Sequence, residues 1–128
     1  MQSNTHLGIS HEFCGTPIEL SPGKAVVSLV TTAIMAADSQ NLVHGGFVFG
    51  MADYAAMLAV NDPNVVLGSA DMKFLKPVRV GETLLAAACV KEEKGKKRVV
   101  EVIVSRDGEE VVSGTCVCFV LDKHVLDA

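Results

Sequence analysis

Two patterns of apolar residues divide the chain. In "LVHGGFVFGMADYAAMLAVN" (42–61), Phe47, Met51, Tyr54 and Leu58 recur at the helical spacing i, i+4, i+7, i+11. Val48, Ala52, Ala55, Ala56 and Ala59 fill the other faces of the same helix with nothing polar. A helix that is apolar all round is a buried one. It is predicted to start near Gly45–Gly46 and to end by Asn61, because Pro63 disfavours helical geometry in Asp62. One formal charge, Asp53, interrupts it.

The second pattern is β-like. "KAVVSLVTTAIMA" (24–36) is rich in β-branched residues and predicts a strand. After the helix come "NVVLGSADMKFL" (64–75), "ETLLAAACVKEE" (82–93), a turn at "KGK" (94–96), and "KRVVEVIVSR" (97–106) with Glu101 inside its apolar run. Asp107-Gly108 is a favoured two-residue hairpin turn, and "EEVVSGTCVCFVL" (109–121) follows it. Residues 1–24 hold turn formers at Gly15, Pro17, Ser21, Pro22 and Gly23, so an irregular lead-in is expected. The order is strand, buried helix, then four strands in an antiparallel meander. It predicts an α+β class with one long central helix wrapped by a curved antiparallel sheet of five to six strands. Such a sheet covers only part of a helix apolar on every side. A second copy of the chain is the simplest cover for the rest, so a homodimer, or a homotetramer built as a dimer of dimers, is expected.

Composition narrows the function. With 128 residues, 49% of them apolar, the chain is expected to form a single domain over 1–128 with one packed core. A net charge of −4 leaves no electrostatic footprint for nucleic acid. Residues 1–10 lack a basic n-region followed by an apolar run, and the apolar stretch 45–60 is too short to span a bilayer. No membrane partner is expected, and cytoplasmic residence is. Cys116 and Cys118 lie two apart on one face of a predicted strand, and neither they nor Cys14 and Cys89 have zinc-site or Cys-x-x-Cys spacing. They read as small buried hydrophobes.

The candidate chemistry lies in the helix. At its start, Gly45 and Gly46 bare backbone amides that have no intrahelical partner, a setting that favours a developing oxyanion. The alternative is that the two glycines let the loop pack closely against a strand. His44 either orients this loop, donates to a carbonyl or is a satisfied core histidine. His6, His11 and His124 form no metal-ligand spacing with it and receive no role, and no metal is expected. Asp53 has no basic residue at 49, 50, 56 or 57, and burial would raise its pKa toward that of a useful general base. The alternative is a solvated groove or a distant partner such as Lys73. From Gly46 to Asp53 is seven residues, or ~10.5 Å along a helix, whereas a general base must lie about 3 Å from its target. If both act on one carbon, they come from different chains.

"HGGFVFGMAD" (44–53) resembles the central-helix signature of hotdog-fold acyl-CoA thioesterases of the PaaI type, with the acidic residue nine positions after the histidine. "GSADMKFLKPVRVGE" (68–82) resembles the strand and Pro-x-x-x-Gly turn that follow in the same family. The resemblance covers about 24–121. It implies a hotdog fold and hydrolysis of small to medium or aryl acyl-CoA esters, with no cofactor beyond the coenzyme A of the substrate. It implies that the Gly46 amide polarises the thioester carbonyl and that His44 supports the loop. Asp53 of the partner chain would act as general base or nucleophile, and Ser69 would help hold the water or the carboxylate. The family often carries Asn six residues before the histidine. That position is Asp38 here, so either Asn41 fills the polar role, or Asp38 points elsewhere, or activity is weak. Gly45, Tyr54 and Phe74 are candidates for the substrate pocket. Lys73, Lys76, Arg79 and the turn cluster Lys94, Lys96, Lys97 and Arg98 are candidates for the phosphates of coenzyme A; the alternative for each is a solvated turn or a strand edge protected by its charge. The alternatives are a non-catalytic acyl-CoA-binding domain and a thioester dehydratase or hydratase, the latter a poor fit because Asp38 and His44 precede the helix.

Overall fold

The structure, a computed structural model, describes residues 1–127; Ala128, inside the predicted domain span, lies outside the described residues. Helix α2 covers Gly45–Val60, one residue short of the predicted end, and Asn61 closes it in the left-handed conformation with its N–H on the Met57 carbonyl at 2.8 Å. Asn is one of the few residues that enter this conformation at low cost, and Pro63 forbids continuation.

The lead-in is more ordered than expected. Residues 11–14 form a short helix α1 (His11–Cys14), and Thr16–Ser21 form a strand, β1, in a hairpin with β2 (Lys24–Val30). Pro22 and Gly23 make its turn, with Gly23 at φ 77. The turn residues at 21–23, which in the sequence suggest an irregular segment, are the hairpin tip. The predicted strand 24–36 stops at Val30. Thr31 donates its hydroxyl to the Glu82 and Arg79 carbonyls, at 2.7 and 3.1 Å, and Ala33–Met35 turn as a 3-10 helix that buries Met35.

After α2 come β3 (Val65–Phe74), β4 (Thr83–Lys94), β5 (Lys97–Arg106) and β6 (Glu109–Val120). All six strands join one antiparallel sheet in the order β1-β2-β4-β5-β6-β3. Only β4, β5 and β6 form a meander. β3 lies at the far edge against β6, and β4 inserts beside β2, which corrects the four-strand meander. Local apolar pattern sets which face of a strand is buried but carries no information on which strand lies next to it. Asp107 and Gly108 both have positive φ, 49 and 80, as the two-residue hairpin turn requires.

The core lies between α2 and the concave face of the sheet. Val27, Leu29, Leu84, Ala86, Val100, Val102, Val104, Cys116 and Cys118 alternate inward, each 2% exposed or less. They meet Met51, Ala52, Ala55, Ala56, Leu58 and Ala59 of the helix. Alanines on α2 let helix and sheet approach closely, which is how a chain without Trp fills its interior. Residues 2–14 cover a second side of α2, with the Phe13 and Phe47 rings 5.9 Å apart. The expectation that a partner must supply all the cover beyond the sheet is therefore too strong. Gly46, Phe49, Gly50 and Asp53, at i, i+3, i+4 and i+7, form the stripe that stays partly open. No helix among the described residues is long and apolar enough to cross a membrane.

Candidate active site

The N-terminus of α2 is held from three sides. The Val43 N–H donates to the Val78 carbonyl (2.8 Å), the His44 N–H to Met35 (2.9 Å), and the Phe47 N–H back to His44 (3.1 Å). His44 is the N-cap residue in extended conformation, and its side chain makes no capping bond. The amides of Gly45 and Gly46 thus start the helix without intrahelical partners. A Cβ on Gly46 would meet the His44 ring at 3.1 Å, so the imidazole lies across this glycine. Gly45 faces the Phe74 ring, 3.5 Å from where its Cβ would be. Beside it opens a cleft of about 310 Å³, walled by Val43, Val48, Phe74 and Val112 with Lys76 at the rim. His44 is solvent-exposed in the single chain, so the reading of it as a satisfied core histidine is corrected.

The departure at Asp38 has a structural reason. One oxygen of its carboxylate accepts the Gln40 and Leu42 amides, at 2.9 and 3.2 Å. The side chain closes its own loop. Asn41 adopts φ 64, and its carbonyl accepts the Val80 N–H at 2.9 Å, so it shapes the loop with its backbone.

Asp53 lies in the middle of α2, half-buried, and its Oδ1 is sealed from solvent with no hydrogen-bond partner among the described residues. Burial pushes its pKa above the ordinary carboxylate range, and the nearby His6 imidazole pulls it back in part. Lys73 is not the partner: the charge that acts on Asp53 is His6. Three thiols surround the carboxylate electrostatically. Cys116 and Cys118 are raised to about 11 and about 12, by burial first and then by neighbouring groups that include Asp53, and Cys14 is raised for the same two reasons. Such thiols are neutral and unreactive.

The other candidates are scattered in one chain. Ser69 follows a bulge in β3 and is exposed. Lys73 is exposed on the same strand; Lys76 is ion-paired with Glu109 at 2.8 Å; the Arg79 N–H donates to Glu82 at 2.6 Å. Tyr54, 3% exposed, packs under the lead-in and not into the Phe74 cleft. The turn cluster Lys94–Arg98 sits at the end of the sheet away from Gly45. There Lys96 pairs with Asp122 and Arg98 with Glu93. Two residues escaped the sequence reading. Arg106 ties Pro77, Glu82 and Glu109 together at the rim. His6 approaches Asp53 through a fold-back of the lead-in that no local periodicity signals.

A central helix wrapped by a curved antiparallel sheet is a hotdog fold. The family model "Thioesterase superfamily" matches residues 40–113, and the chain belongs to that superfamily. The solved structure of PH1136 from Pyrococcus horikoshii superposes with TM-score 0.98 at 52% identity, covering 99% of this chain and 98% of that one. A protein named methylthioribose-1-phosphate isomerase, from Aquifex aeolicus, is 51% identical over 114 residues, 89% of this chain and 25% of its own length. The transcription factor FapR of Caldanaerobacter subterraneus is 29% identical across 90% of this chain and 58% of its own. The acyl-coenzyme A thioesterase PaaI of Escherichia coli is 28% identical across 86% of this chain and 83% of its own. The chain thus spans a quarter of the length of the Aquifex aeolicus relative and just over half of FapR.

Proposed function

We propose that the chain hydrolyses acyl-CoA thioesters with small to medium or aryl acyl groups, at a site shared between two copies. The observation that carries this reading is Asp53: a carboxylate with a sealed, unpartnered oxygen on the open stripe of α2, in a family of thioesterases. Leaving such an oxygen unsatisfied costs stability, which a reaction can use and packing alone cannot.

The Gly46 N–H donates to the carbonyl oxygen of the thioester and stabilises the oxyanion as it forms. Asp53 of the partner subunit takes a proton from water as the water oxygen bonds to the carbonyl carbon. The C–S bond then breaks, the electron pair leaves on sulfur, and the proton on Asp53 passes to the thiolate. Direct attack by the carboxylate, through an anhydride that water then opens, uses the same positions. His44 keeps the glycine turn in place; Ser69 and Asn41 hold the water or the substrate; Gly45 and Phe74 line the acyl side. Tyr54 supports the helix behind Asp53. Lys73, Lys76 and Arg79 meet the phosphates of coenzyme A, Lys76 by exchanging its Glu109 partner. No cofactor beyond the substrate's own coenzyme A takes part.

Two features support the shared site. The ~10.5 Å between Gly46 and Asp53 exceeds the reach of a general base, so one chain cannot present both to one carbon. The ten-residue β3 is an edge strand whose outer ladder is unpaired, a surface on which a second copy can continue the sheet.

The deciding experiment measures thiol release from a panel of acyl-CoA esters, acetyl through long-chain and aryl, with Asp53→Ala as the control. Hydrolysis that disappears in Asp53→Ala is expected. Undiminished turnover in that variant rules out its role as base or nucleophile. Mixing Gly46→Pro chains with Asp53→Ala chains should restore part of the activity if the site is shared. A second reading, binding of an acyl-CoA without turnover, is supported by the similarity to FapR only in that this relative is named a transcription factor and not an enzyme. Tight binding of CoA esters with no thiol release would select it.

A further inference from the structure

The outer face of the sheet, turned away from α2, carries a pattern that one chain leaves unused. Strand register sets its outward residues in rows across β2, β4 and β5. In one row Lys24 and Glu101 flank Cys89; in the next Val26 and Ile103 flank Ala87; in the third Ser28 and Ser105 flank Leu85. Their chain neighbours Ala25, Ala88 and Val102 are buried against the helix, so alternation turns these rows outward. Across β4 the rows are complementary: cation against anion, apolar against apolar, hydroxyl against hydroxyl. The next strands continue the first row, with Ser21 opposite Lys24 and Thr115 opposite Glu101.

Within one chain this complementarity is idle. Lys24 and Glu101 stand two strands apart, ~9.6 Å at ~4.8 Å per strand, with Cys89 between them. Both are exposed, and neither forms an ion pair among the described residues. A trough of about 700 Å³ lies over these rows, and the charges that line it, Glu19, Lys24, Lys91 and Glu101, cancel. A surface without net charge has no general attraction for nucleic acid or for an anionic membrane.

We propose that this face binds a second copy of the chain about a two-fold axis that runs along β4. Rotation about that axis keeps β4 in place and exchanges its two sides. Lys24 then meets the partner's Glu101 twice over, Val26 meets the partner's Ile103, and Ala87 meets the partner's Ala87, an isologous contact. Shape agrees with charge. The sheet wraps α2, so its outer face is convex across the strands and two such faces touch first at the crest. In the first two rows β4 carries the small Cys89 and Ala87, and longer side chains stand on the falling flanks, so the contact closes where curvature would open it. Leu85, 40% exposed, and Val30, 58% exposed, extend the apolar part. At Glu92, the next outward position on β4, like charges approach, and the bulge sets Lys91 beside it as counter-charge. Five strands at ~4.8 Å by three outward positions at ~6.8 Å give roughly 1,000 Å² over both copies, the lower end for a specific interface. The contact is independent of the thioesterase reading and leaves β3 and the open stripe of α2 free for the shared site.

Sedimentation velocity over a range of protein concentrations tests the contact. Lys24→Glu and Glu101→Lys each turn two attractions into two repulsions. Association should weaken by about a hundredfold, roughly tenfold per contact, and the particle should fall to half its mass. Mixing the two variants should restore the full mass, because each contact in the mixed pair again joins one acid to one base. A chain carrying both substitutions should assemble as well. Ala87→Arg, at a position exposed in the single chain, should halve the mass and keep the far-UV circular dichroism of the wild type. Equal masses for the wild-type and Ala87→Arg chains overturn the proposal. So do single charge variants that keep the wild-type mass, and halved masses that mixing does not restore. If a charge variant does not fold, the comparison with Ala87→Arg decides alone.

Discussion

Replacing Gly46 by Ala separates catalysis from folding at one atom. The backbone of Gly46 is helical, so an alanine there carries no conformational penalty, and its N–H is kept. The added Cβ meets only the His44 ring, at 3.1 Å, where ordinary contact begins at 3.4 Å. The ring must therefore retreat by about 0.3 Å or more, that is 3.4 − 3.1 Å. His44 is exposed, so this costs little stability. Against it, alanine favours the helix over glycine by up to ~1 kcal/mol, less in the first turn. The net expectation is a melting temperature unchanged or raised by roughly 1–4 °C. Activity should respond in the opposite direction. Displacements approaching 1 Å in a catalytic constellation can cost about a hundredfold, so kcat/KM should fall by roughly threefold to thirtyfold. Thermal unfolding by circular dichroism and thiol release by absorbance, on the same preparation, check both halves. Full kcat/KM in a folded Gly46→Ala chain refutes the idea that His44 and Gly46 act as one unit. A large drop in melting temperature would refute the idea that the space at Gly46 is open except for His44.

Two further outcomes follow from other residues. Burial raises the folded-state pKa of Asp53 above its unfolded value, so the folded chain holds that proton more tightly. Its contribution is then fully present below the unfolded value and is lost as pH rises through the folded pKa. Asp53→Asn removes this loss, so its advantage in melting temperature over the wild type should grow from about pH 4 to about pH 8; a constant difference across that range would contradict it. Asn61→Ala loses the side-chain hydrogen bonds with Gln2 and Asn4 and places a Cβ-bearing residue at φ 54, whereas Asn61→Gly loses only the bonds. Ala should cost roughly 1 kcal/mol more than Gly, and both should speed hydrogen exchange in residues 2–6; equal stabilities would show that the cap conformation is not what Asn61 contributes.

Residues 44–61 carried most of their own interpretation. An apolar helix with a single carboxylate, two glycines before it and a proline after it has few solutions, and rise per residue alone separates Gly46 from Asp53. The hairpin at Asp107-Gly108 was equally legible, since few dipeptides accept positive φ twice. Strand alternation in β4, β5 and β6 named the inward residues for the same reason: period two is local. Other features were not local. That β3 pairs with β6 and leaves an open edge depends on how the chain crosses the sheet, which no alternation encodes. Turn residues at 21–23 look the same in a loose lead-in as in a hairpin until β2 finds β4 and offers β1 its other edge. That Asp38 closes its own loop is visible only with its oxygen on the Gln40 and Leu42 amides. His6 shows the limit most sharply. It stands 47 residues from Asp53 in a segment without periodicity, and only the Asn61 hydrogen bonds with Gln2 and Asn4 and the packing on Tyr54 bring it to α2. Chemistry confined to one helix is written in spacing; chemistry that needs two segments to meet is written in the packing between them.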